Sequence, residues 1–485
     1  MVCRHMPGYL PLLLLIGLAC SSAAVLEEAQ QLLSCYNRNA TAESLYFRDF
    51  VNGRASKMTL HTILWSTKLV SDMTPSNNTS KPAASLHPLT IVTTANKQRL
   101  GTLEAQCNSW PGPLTAAIWV PLENDSGGLN SSKNAAVLNE TLMAAQSLFD
   151  RTEVSPTSCA LRLLLMTELL GERAAKWLYP INSLRNAAIL ASDTPMVAMV
   201  DVDLLLSNTL AKEMMPLGRG SGRERATSRA AELARACRAG QIFVMPAFEP
   251  CSFRKYSLEA GRQVAEQSVR VGKQGLVELV RGRRMCYFQE NNYRQGHNST
   301  LFPTWYQSSW PYKVSYTPLY EPWYIVDRFL NPWYDARYRS YGWNKQQQVA
   351  ASALGRNLTL LVHPTAFVVH RPHERSHMAN MWCSAINSRR NPRIAAFAQS
   401  LMTNMSAPTA LADKLQYRDI GQLVHKLGEE LFLASVQSMR EGRPYEYQVD
   451  PPLLTCLREL PWWQAEAHGH SKWPGRQRVA ALQDS

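Results

Sequence analysis

The sequence is poor in acidic residues and contains neither a Cys-x-x-Cys pair nor an internal repeat. Its 38 Asp and Glu residues face 51 Lys and Arg residues, which gives a formal net charge of +13 at pH 7. The missing Cys-x-x-Cys spacing argues against a cysteine-based zinc site. The net charge favours anionic partners. The basic stretch 219–238 lacks interleaved aromatic residues, so it predicts an amphipathic helix and no nucleic-acid partner.

Long apolar runs are also absent after residue 26, so no later transmembrane span is predicted. At the N-terminus, Arg4 and His5 precede the apolar run Tyr9–Ala19, and small residues follow it. That run is short for a bilayer-spanning helix. It predicts a signal peptide or a signal anchor over residues 1–24. In both cases the rest of the chain is expected in the lumen of the secretory pathway.

Two further features agree with a lumenal location. Acceptor sequences for N-glycosylation, Asn-x-Ser/Thr, occur at high density, at Asn39, Asn77, Asn78, Asn124, Asn130, Asn139, Asn298, Asn357 and Asn404. The cysteines beyond the targeting segment are Cys35, Cys107, Cys159, Cys237, Cys251, Cys286, Cys383 and Cys456. Their even number predicts disulfides in an oxidising compartment, and their spacing leaves the pairing open.

Strand and helix patterns alternate along most of the chain. Apolar strands are predicted at 89–94, 116–120, 160–166, 241–246 and 366–369, with helical patterns between them. Such alternation predicts an α/β fold with a largely parallel sheet. We expect this domain to span 88–377. A stem over 25–87 is expected before it, and a helical C-terminal extension with a loose tail is expected over 378–485.

The most informative segment is Thr194–Ser207, an apolar strand pattern that runs into Asp201 and Asp203. Alternate side chains of an extended strand share a face, so both carboxylates are expected on one side, with Val202 pointing into the protein. Paired carboxylates suit a hard divalent cation. A helical pattern over 179–190 precedes the strand, and ligands of open α/β sheets bind beyond the carboxyl ends of strands. The structural alternative is a solvated acidic pair that ends a core strand.

Several collinear motifs carry a resemblance to a known family. They are Arg99-Leu-x-x-Leu-Glu, Trp110-Pro-Gly-Pro, Tyr179-Pro-Ile-Asn-x-Leu-Arg-Asn, Val200-Asp-Val-Asp-Leu-Leu, Val244-Met-Pro-Ala-Phe-Glu, Tyr320-Glu-Pro-Trp-Tyr, Tyr334-Asp-Ala-Arg-Tyr-x-x-Tyr-Gly-Trp-Asn-Lys and Ala366-Phe-Val-Val-His-Arg-Pro-His. In this order they resemble glycosyltransferase family 49, which includes LARGE-like glucuronyltransferase domains and a β-1,4-glucuronyltransferase. The resemblance covers residues 88–377.

The resemblance implies a nucleotide-sugar transferase with a GT-A fold, a Rossmann-like, mostly parallel sheet with an Asp-x-Asp metal site. A UDP-sugar would bind with a divalent cation, usually Mn²⁺, and Asp201 and Asp203 would bridge the metal and the diphosphate. His370 matches the position of a third metal ligand, and an imidazole favours transition metals over Mg²⁺. The acceptor would be a glycan or glycoprotein, the compartment the Golgi, and residues 1–24 could anchor the protein in the membrane.

The same resemblance implies residues that contact donor and acceptor. Arginine suits a diphosphate or a sugar carboxylate through paired N–H donors. The expected donor contacts come from the helix before Asp201 and from the end of the first strand, namely Arg185, Asn186, Thr93, Thr94 and Ala95. The expected acceptor contacts are Gly342, Trp343, Asn344 and Lys345. Glucuronate is the donor sugar that the resemblance suggests, while xylose, galactose and N-acetylglucosamine stay open, because one pocket side chain can switch them.

The family resemblance also implies inversion at the anomeric carbon, which requires a carboxylate to take the proton of the acceptor hydroxyl. Asp335 and Glu321 are the two candidates. Asp335 is preferred because it lies beside the expected acceptor segment. Its structural alternative is an ion pair with Arg337 or Arg339, while Glu321 could instead contact the acceptor.

Two other functions compete with this interpretation. His373-Glu374-Arg375-Ser376-His377 spells the His-Glu-x-x-His pattern of zinc peptidases, which needs a helix that places both histidines on one face, with Glu374 as the base. Pro372 could open such a helix, but the extended peptidase pattern fails at Asn380 and Cys383. The other alternative is a GT-A protein that holds glycans without transferring sugar.

Overall fold

The computed structural model describes residues 23–38, 43–51, 53, 58–68, 87–125, 127, 128, 131–214, 221–251, 257–387 and 417–464. The predicted signal segment up to residue 22, the stretch 69–86 and the tail after residue 464 lie outside the described residues. So do five predicted glycosylation sites, at Asn39, Asn77, Asn78, Asn130 and Asn404. Among the described helices, none combines the length and hydropathy that a bilayer crossing requires.

Strands and helices alternate along the chain, as the sequence pattern predicts. The strands are β1 Thr59–Trp65, β2 Leu89–Asn96, β3 Pro113–Glu123, β4 Ala160–Leu170, β5 Met196–Met199, β6 Leu204–Leu206, β7 Gln241–Met245, β8 Ala247–Pro250, β9 Met285–Tyr287, β10 Tyr312–Lys313, β11 Trp323–Asp327, β12 Thr359–Val362 and β13 Val368–His370. The helices are α1 Ala23–Asn37, α2 Phe47–Val51, α3 Leu100–Ser109, α4 Ser132–Val154, α5 Ile181–Leu190, α6 Asn208–Met214, α7 Ser221–Arg238, α8 Leu258–Ser268, α9 Gly272–Arg281, α10 Phe302–Gln307, α11 Asn344–Ala350, α12 His377–Asn387, α13 Tyr417–Arg440, α14 Pro451–Glu459 and α15 Pro461–Gln464.

A nine-stranded sheet forms the centre of the protein, in the order β1-β4-β3-β2-β5-β11-β7-β12-β10. Strands β4, β3, β2 and β5 run parallel to one another, as do β7 and β12. Strands β1, β10 and β11 run antiparallel to their neighbours. The predicted α/β class with a largely parallel sheet is therefore confirmed. A smaller sheet, β6-β13-β8-β9, places β13 beside the strand that follows the Asp-x-Asp motif.

The central strands are buried on both faces, which explains their nearly continuous apolar sequences. Alternate residues of β3 enter two separate cores, because successive side chains of a strand point to opposite faces. Ala117 and Trp119 pack into the core that contains Leu184 of α5. Ala116 and Ile118 pack into the core that contains residues of α3 and α4. Helices thus cover both sides of the sheet, and this places the end of β5 between them.

The segment predicted as a stem contributes to the domain instead of preceding it. Strand β1 extends the large sheet by pairing with β4, and α1 buries Leu32 and Tyr36 in the core that contains α5. The predicted C-terminal extension is built in as well. The indole N–H groups of Trp462 and Trp463 donate to the carbonyl oxygen of Leu190, at 2.9 and 2.8 Å. Both ends of the described chain therefore pack on the face of the sheet that α5 covers.

Three disulfides join the described cysteines, Cys35–Cys456, Cys107–Cys159 and Cys251–Cys286. Cys237 is buried and unpaired, and Cys383 is half-buried and unpaired. The prediction of disulfides is thus correct, although not every cysteine takes part. The predicted glycosylation sites within the described ranges are all exposed, as their modification requires, at Asn124, Asn139, Asn298 and Asn357.

We expect the Cys35–Cys456 disulfide to be a major stabilising element, because it joins residues 421 positions apart and so restricts the unfolded chain strongly. Replacing both cysteines by serine should lower the free energy of unfolding by about 2–5 kcal/mol, measured by urea denaturation. The matched control is Cys383→Ser, since Cys383 forms no disulfide. An unfolding midpoint of the double variant equal to that of the control would contradict this expectation.

Candidate active site

The two aspartates of the Asp-Val-Asp motif lie in a tight turn between two strands. Strand β5 ends at Met199, and the backbone N–H of Leu204 donates to the carbonyl oxygen of Asp201 at 3.0 Å. The side chain of Gln106 donates to the carbonyl oxygens of Asp201 and Leu204, each at 2.9 Å. The expectation of a continuous strand is therefore wrong, whereas Val202 does pack against the core, as expected. The chain turns here, and Val202 is only half-buried.

Asp201 is surrounded by hydrogen-bond donors from three other elements. Its Oδ1 accepts from Arg185 at 3.1 Å, and its Oδ2 accepts from Lys345 at 3.1 Å and from the indole N–H of Trp323 at 3.2 Å. Burial would raise the pKa of this carboxyl, but Lys345 and Arg185 outweigh it and hold the pKa below its ordinary value. Asp201 is therefore an anion whose charge is already balanced within the protein.

Asp203 faces two histidines instead. Its Oδ2 lies 2.8 Å from Nε2 of His373 and 3.9 Å from Nε2 of His370. Burial opposes its ionisation, but the favourable contributions, of which the hydrogen bond with His373 is the largest, outweigh it and bring the pKa of Asp203 well below its ordinary value. Burial lowers the pKa of His370 to about 4, so its imidazole is neutral at physiological pH and can act as a ligand.

These three side chains fit a divalent cation. One potential ligand atom from each of Asp203, His370 and His373 lies within 4.8 Å of the others. A carboxylate with two imidazoles suits Mn²⁺ or another transition metal better than Mg²⁺. The structure thus brings the expected ligands Asp203 and His370 together, and the third potential ligand of this group is His373, where the sequence analysis expected Asp201. His373 lies three residues after His370 and is the last residue of the same motif, Ala366-Phe-Val-Val-His-Arg-Pro-His. That spacing could have indicated His373 as a potential ligand.

The geometry of a zinc peptidase is absent from this part of the chain. Residues 371–376 form no helix, and α12 begins only at His377. His373 and Glu374 therefore do not lie on a helix with His377, as the His-Glu-x-x-His chemistry requires. His373 pairs with Asp203 instead.

Glu321, one of the two predicted catalytic carboxylates, lies in the same cluster. Its Oε1 is 3.9 Å from Nζ of Lys345 and 3.9 Å from Nε2 of His297. Burial raises the pKa of Glu321 above its ordinary value, and Lys345 opposes this shift. Burial also lowers the pKa of His297 to about 3, and its ring stacks on Trp323 with centroids 5.6 Å apart. His297 is therefore a neutral neighbour of Glu321.

Asp335, the preferred candidate, is placed differently. Its carboxylate has no exposed surface, whereas 14% of the Glu321 side chain is exposed. Its Oδ2 accepts from Arg337 at 2.6 Å, and the hydroxyl of Tyr445 donates to the same oxygen. The structure therefore favours the alternative that the sequence analysis gave for Asp335, an ion pair with Arg337.

The expected donor residues divide into two groups. Arg185 is fully buried and joins Asp201 to Oδ1 of Asn344 at 2.7 Å. Asn186 exchanges two hydrogen bonds with the backbone of Tyr334, at 2.8 and 2.9 Å, so it faces the scaffold. At the end of β2, Thr93 and Ala95 are buried and Thr94 is half-buried. These residues follow Val92, where the pairing of β2 with β5 ends, and they pair with β3.

The expected acceptor segment approaches the cluster from α11. Lys345 and Asn344 contact Asp201 and Arg185 directly. Trp343 and Gly342 face the opposite way, towards α13 and α12. Arg99 was not singled out as a site residue in the sequence analysis. Its guanidinium donates to the carbonyl oxygen of Glu374 at 3.1 Å beside the histidine pair.

Comparison with known proteins identifies the family of this chain. The sequence model of the family described as glycosyl-transferase for dystroglycan matches residues 88–405. The chain belongs to this family. Human xylosyl- and glucuronyltransferase LARGE2 is 29% identical over 294 residues, which cover 60% of this chain and 33% of that protein. The glycosyltransferase-like protein LARGE of Caenorhabditis elegans is 24% identical over 335 residues, covering 68% and 44%.

The chain thus spans less than half the length of these curated relatives. A crystal structure of S. aureus TarS 1–349 in complex with UDP-GlcNAc also matches, with 11% identity and a TM-score of 0.25. That match covers 75% of this chain and 95% of the TarS chain.

We expect His373 to be a metal ligand. His373→Ala should weaken Mn²⁺ binding at least as much as the loss of an outer partner of a metal ligand, roughly 10–100-fold, measured by isothermal titration. Glu374→Gln is the matched control, because the side chain of Glu374 is exposed and only its carbonyl oxygen approaches His373. Equal Mn²⁺ affinity in His373→Ala and the control would show that His373 is not a ligand.

Proposed function

We propose that the protein is a metal-dependent, inverting glycosyltransferase that moves glucuronate from UDP-glucuronate to a glycan hydroxyl. The observation that carries the proposal is the contact of Lys345 with both Asp201 and Glu321, because Asp201 lies two residues before Asp203 of the group Asp203, His370 and His373. One site thereby offers ligands for a cation, positive charge for a diphosphate and a carboxylate base. Membership of the family supports the reaction class.

The ligand group would hold the donor's diphosphate through the cation. Asp203, His370 and His373 would bind Mn²⁺, which supplies charge stabilisation for the departing UDP. Lys345 and Arg185 lie on the other side of the turn, where they neutralise Asp201. The charged side chains of Lys345 and Arg185 are held in place before the substrate binds. They would therefore stabilise developing negative charge on the leaving group without reorganisation.

Glu321 is the general base that we propose. A carboxylate with a raised pKa is a stronger base than an ordinary glutamate, while Lys345 nearby favours its ionised form. Its side chain is partly exposed at the cluster, so an acceptor hydroxyl can reach it. Asp335 is enclosed and paired with Arg337, so we assign it a structural role.

The proposed donor sugar rests on the positive groups of the site. Arg99 extends its guanidinium to the segment that carries His373. Burial lowers the pKa of Arg99, and the charge of Asp203 opposes this shift. A guanidinium binds a carboxylate through paired N–H donors, so Arg99 is our candidate for binding the carboxylate of glucuronate. The human relative is named a xylosyl- and glucuronyltransferase, and xylose differs from glucuronate by lacking that carboxylate.

We propose the lumen of the Golgi as the compartment and Mn²⁺ as the physiological metal. The three disulfides require an oxidising environment. The exposed sites Asn124, Asn139, Asn298 and Asn357 suit a chain that is glycosylated in the secretory pathway.

The decisive experiment compares UDP-glucuronate with UDP-xylose. With Mn²⁺ present, UDP-glucuronate should raise the melting temperature more than UDP-xylose at equal concentration, because a ligand of the folded state stabilises more the more tightly it binds. UDP release should accompany incubation with a glycan acceptor. Asp203→Asn should abolish both effects. Equal stabilisation by the two UDP-sugars would contradict glucuronate. Binding without release of UDP from the donor in the presence of any acceptor would indicate a glycan-binding protein without transferase activity.

We expect Glu321→Gln to lower kcat about 10²–10⁴-fold, with binding of UDP and Mn²⁺ retained. The base must be ionised, so kcat/KM of the wild type should fall as the pH drops through the raised pKa of Glu321. The midpoint of that fall should lie above 4.5, the ordinary value for a glutamate. In the Gln variant this acid limb should disappear. Steady-state kinetics across pH measure both effects.

Asp335→Asn is the comparison for this experiment. It leaves the largely buried Arg337 without its ionic partner, so it should lower the free energy of unfolding by about 3–5 kcal/mol. The folded fraction should keep its activity. An acid limb that survives in Glu321→Gln and disappears in Asp335→Asn would reverse the assignment.

A further inference from the structure

The segment that leads into α11 has an unusual backbone. Ser340 and Trp343 adopt φ angles of 62°, and Gly342 between them has φ 99°. Residues other than glycine rarely occupy this left-handed region, and such strain persists only where surrounding structure enforces it. Trp343 is the residue directly before α11. The conformation of Trp343 therefore determines where α11 begins.

The surrounding structure that enforces this conformation belongs to α12 and α13. The indole N–H of Trp343 donates to Nδ1 of His425 in α13 at 2.9 Å. Its ring stacks on His425 and on Phe432, with centroids 5.7 and 5.1 Å apart. On the other side, Trp382 of α12 packs so closely that a Cβ on Gly342 would lie 2.1 Å from its ring. The segment is thus enclosed by two helices.

The residues that follow Trp343 are the ones that reach the candidate active site. Asn344 accepts from Arg185 at 2.7 Å, and Lys345 donates to Asp201 at 3.1 Å. Because both lie in the first turn of α11, a change in the conformation of Trp343 would move them together. Trp343, which donates to His425, therefore lies one residue before Asn344 and two residues before Lys345. These are the residues that contact Arg185 and Asp201 at the Asp-x-Asp turn.

We propose that His425 is a positioning residue for the active site, which acts by holding Trp343 in its left-handed conformation. The proposal rests on the proposed function for its effect on activity. Helix α13 lies at 417–440, beyond residue 405 where the match to the family ends. A helix outside the matched region would thus determine the geometry of Lys345 and Asn344 inside it.

The chemistry of the contact defines which substitutions can replace His425. Nδ1 accepts the indole proton, so the ring is neutral and carries its own proton on Nε2. Asparagine can place Oδ1 near the position of Nδ1 and so keeps an acceptor while losing the ring. Phenylalanine keeps a ring between Trp343 and Trp382 and loses the acceptor. Comparing these two substitutions therefore separates the effect of the hydrogen bond from the effect of ring packing.

The test compares His425→Phe, His425→Asn and the neighbouring control Lys426→Gln, whose side chain is about half exposed. The first readout is hydrogen exchange of the backbone amides of α11, followed by mass spectrometry. The second is kcat/KM for the UDP-sugar. Loss of one neutral hydrogen bond corresponds to a decrease of about tenfold in kcat/KM. In His425→Phe we expect the backbone amides of α11 to exchange faster and kcat/KM to fall about tenfold. In His425→Asn both quantities should stay near their wild-type values.

Trp343→Phe provides a second route to the same hydrogen bond, because it removes the donor and keeps a ring. Combined with His425→Phe it should add no further loss, since both changes remove one interaction. Equal losses in His425→Phe and His425→Asn, or none in His425→Phe, would overturn the proposal. If the wild type turns over no UDP-sugar, the proposed function fails, and the exchange of α11 alone then decides whether His425 positions it.

Discussion

The structure around the site depends on one constraint, the neutralisation of the Asp201 carboxylate within the protein. An ionised carboxylate that is largely removed from water destabilises the folded state unless its charge is compensated, so it must be paired. Its partners come from three places in the chain, Arg185 of α5, Trp323 of β11 and Lys345 of α11. Satisfying this charge therefore joins two helices and a central strand at the point where β5 ends. The site is assembled by the same contacts that hold the fold together there.

Because of this constraint, the two aspartates of the Asp-x-Asp motif make different contacts. Asp201 is committed to the scaffold through Arg185 and Lys345, whereas Asp203 faces the pair His370 and His373. The division follows from the turn, because residues in a turn need not share a face as they would in a strand. Spacing alone suggested two equivalent ligands. The direction of each carboxylate depends on a backbone bend that local propensity does not reveal.

Local pattern predicted the parts of the fold that depend on periodicity. The parallel strands, helix α5 and the strand that ends at His370 all carry strong apolar patterns, and they form where they were expected. Long-range pairing was not predictable in this way. Nothing in 25–87 indicates that β1 joins β4, or that Cys35 meets Cys456 across 421 positions. Proximity in sequence likewise favoured Asp335, because neighbours along the chain do not reveal burial or the approach of Tyr445.

The same limit applies to the C-terminal helices, and it changes how the site is understood. They were expected to follow the domain, yet α13 packs on Trp343 and α15 packs on the backbone of α5 through Trp462 and Trp463. Both α5 and α11 supply cations to Asp201. Each of the two helices that neutralise the motif is thus supported from outside residues 88–377. The proposed site would therefore depend on the C-terminal region for its geometry, even though that region supplies none of the proposed metal ligands.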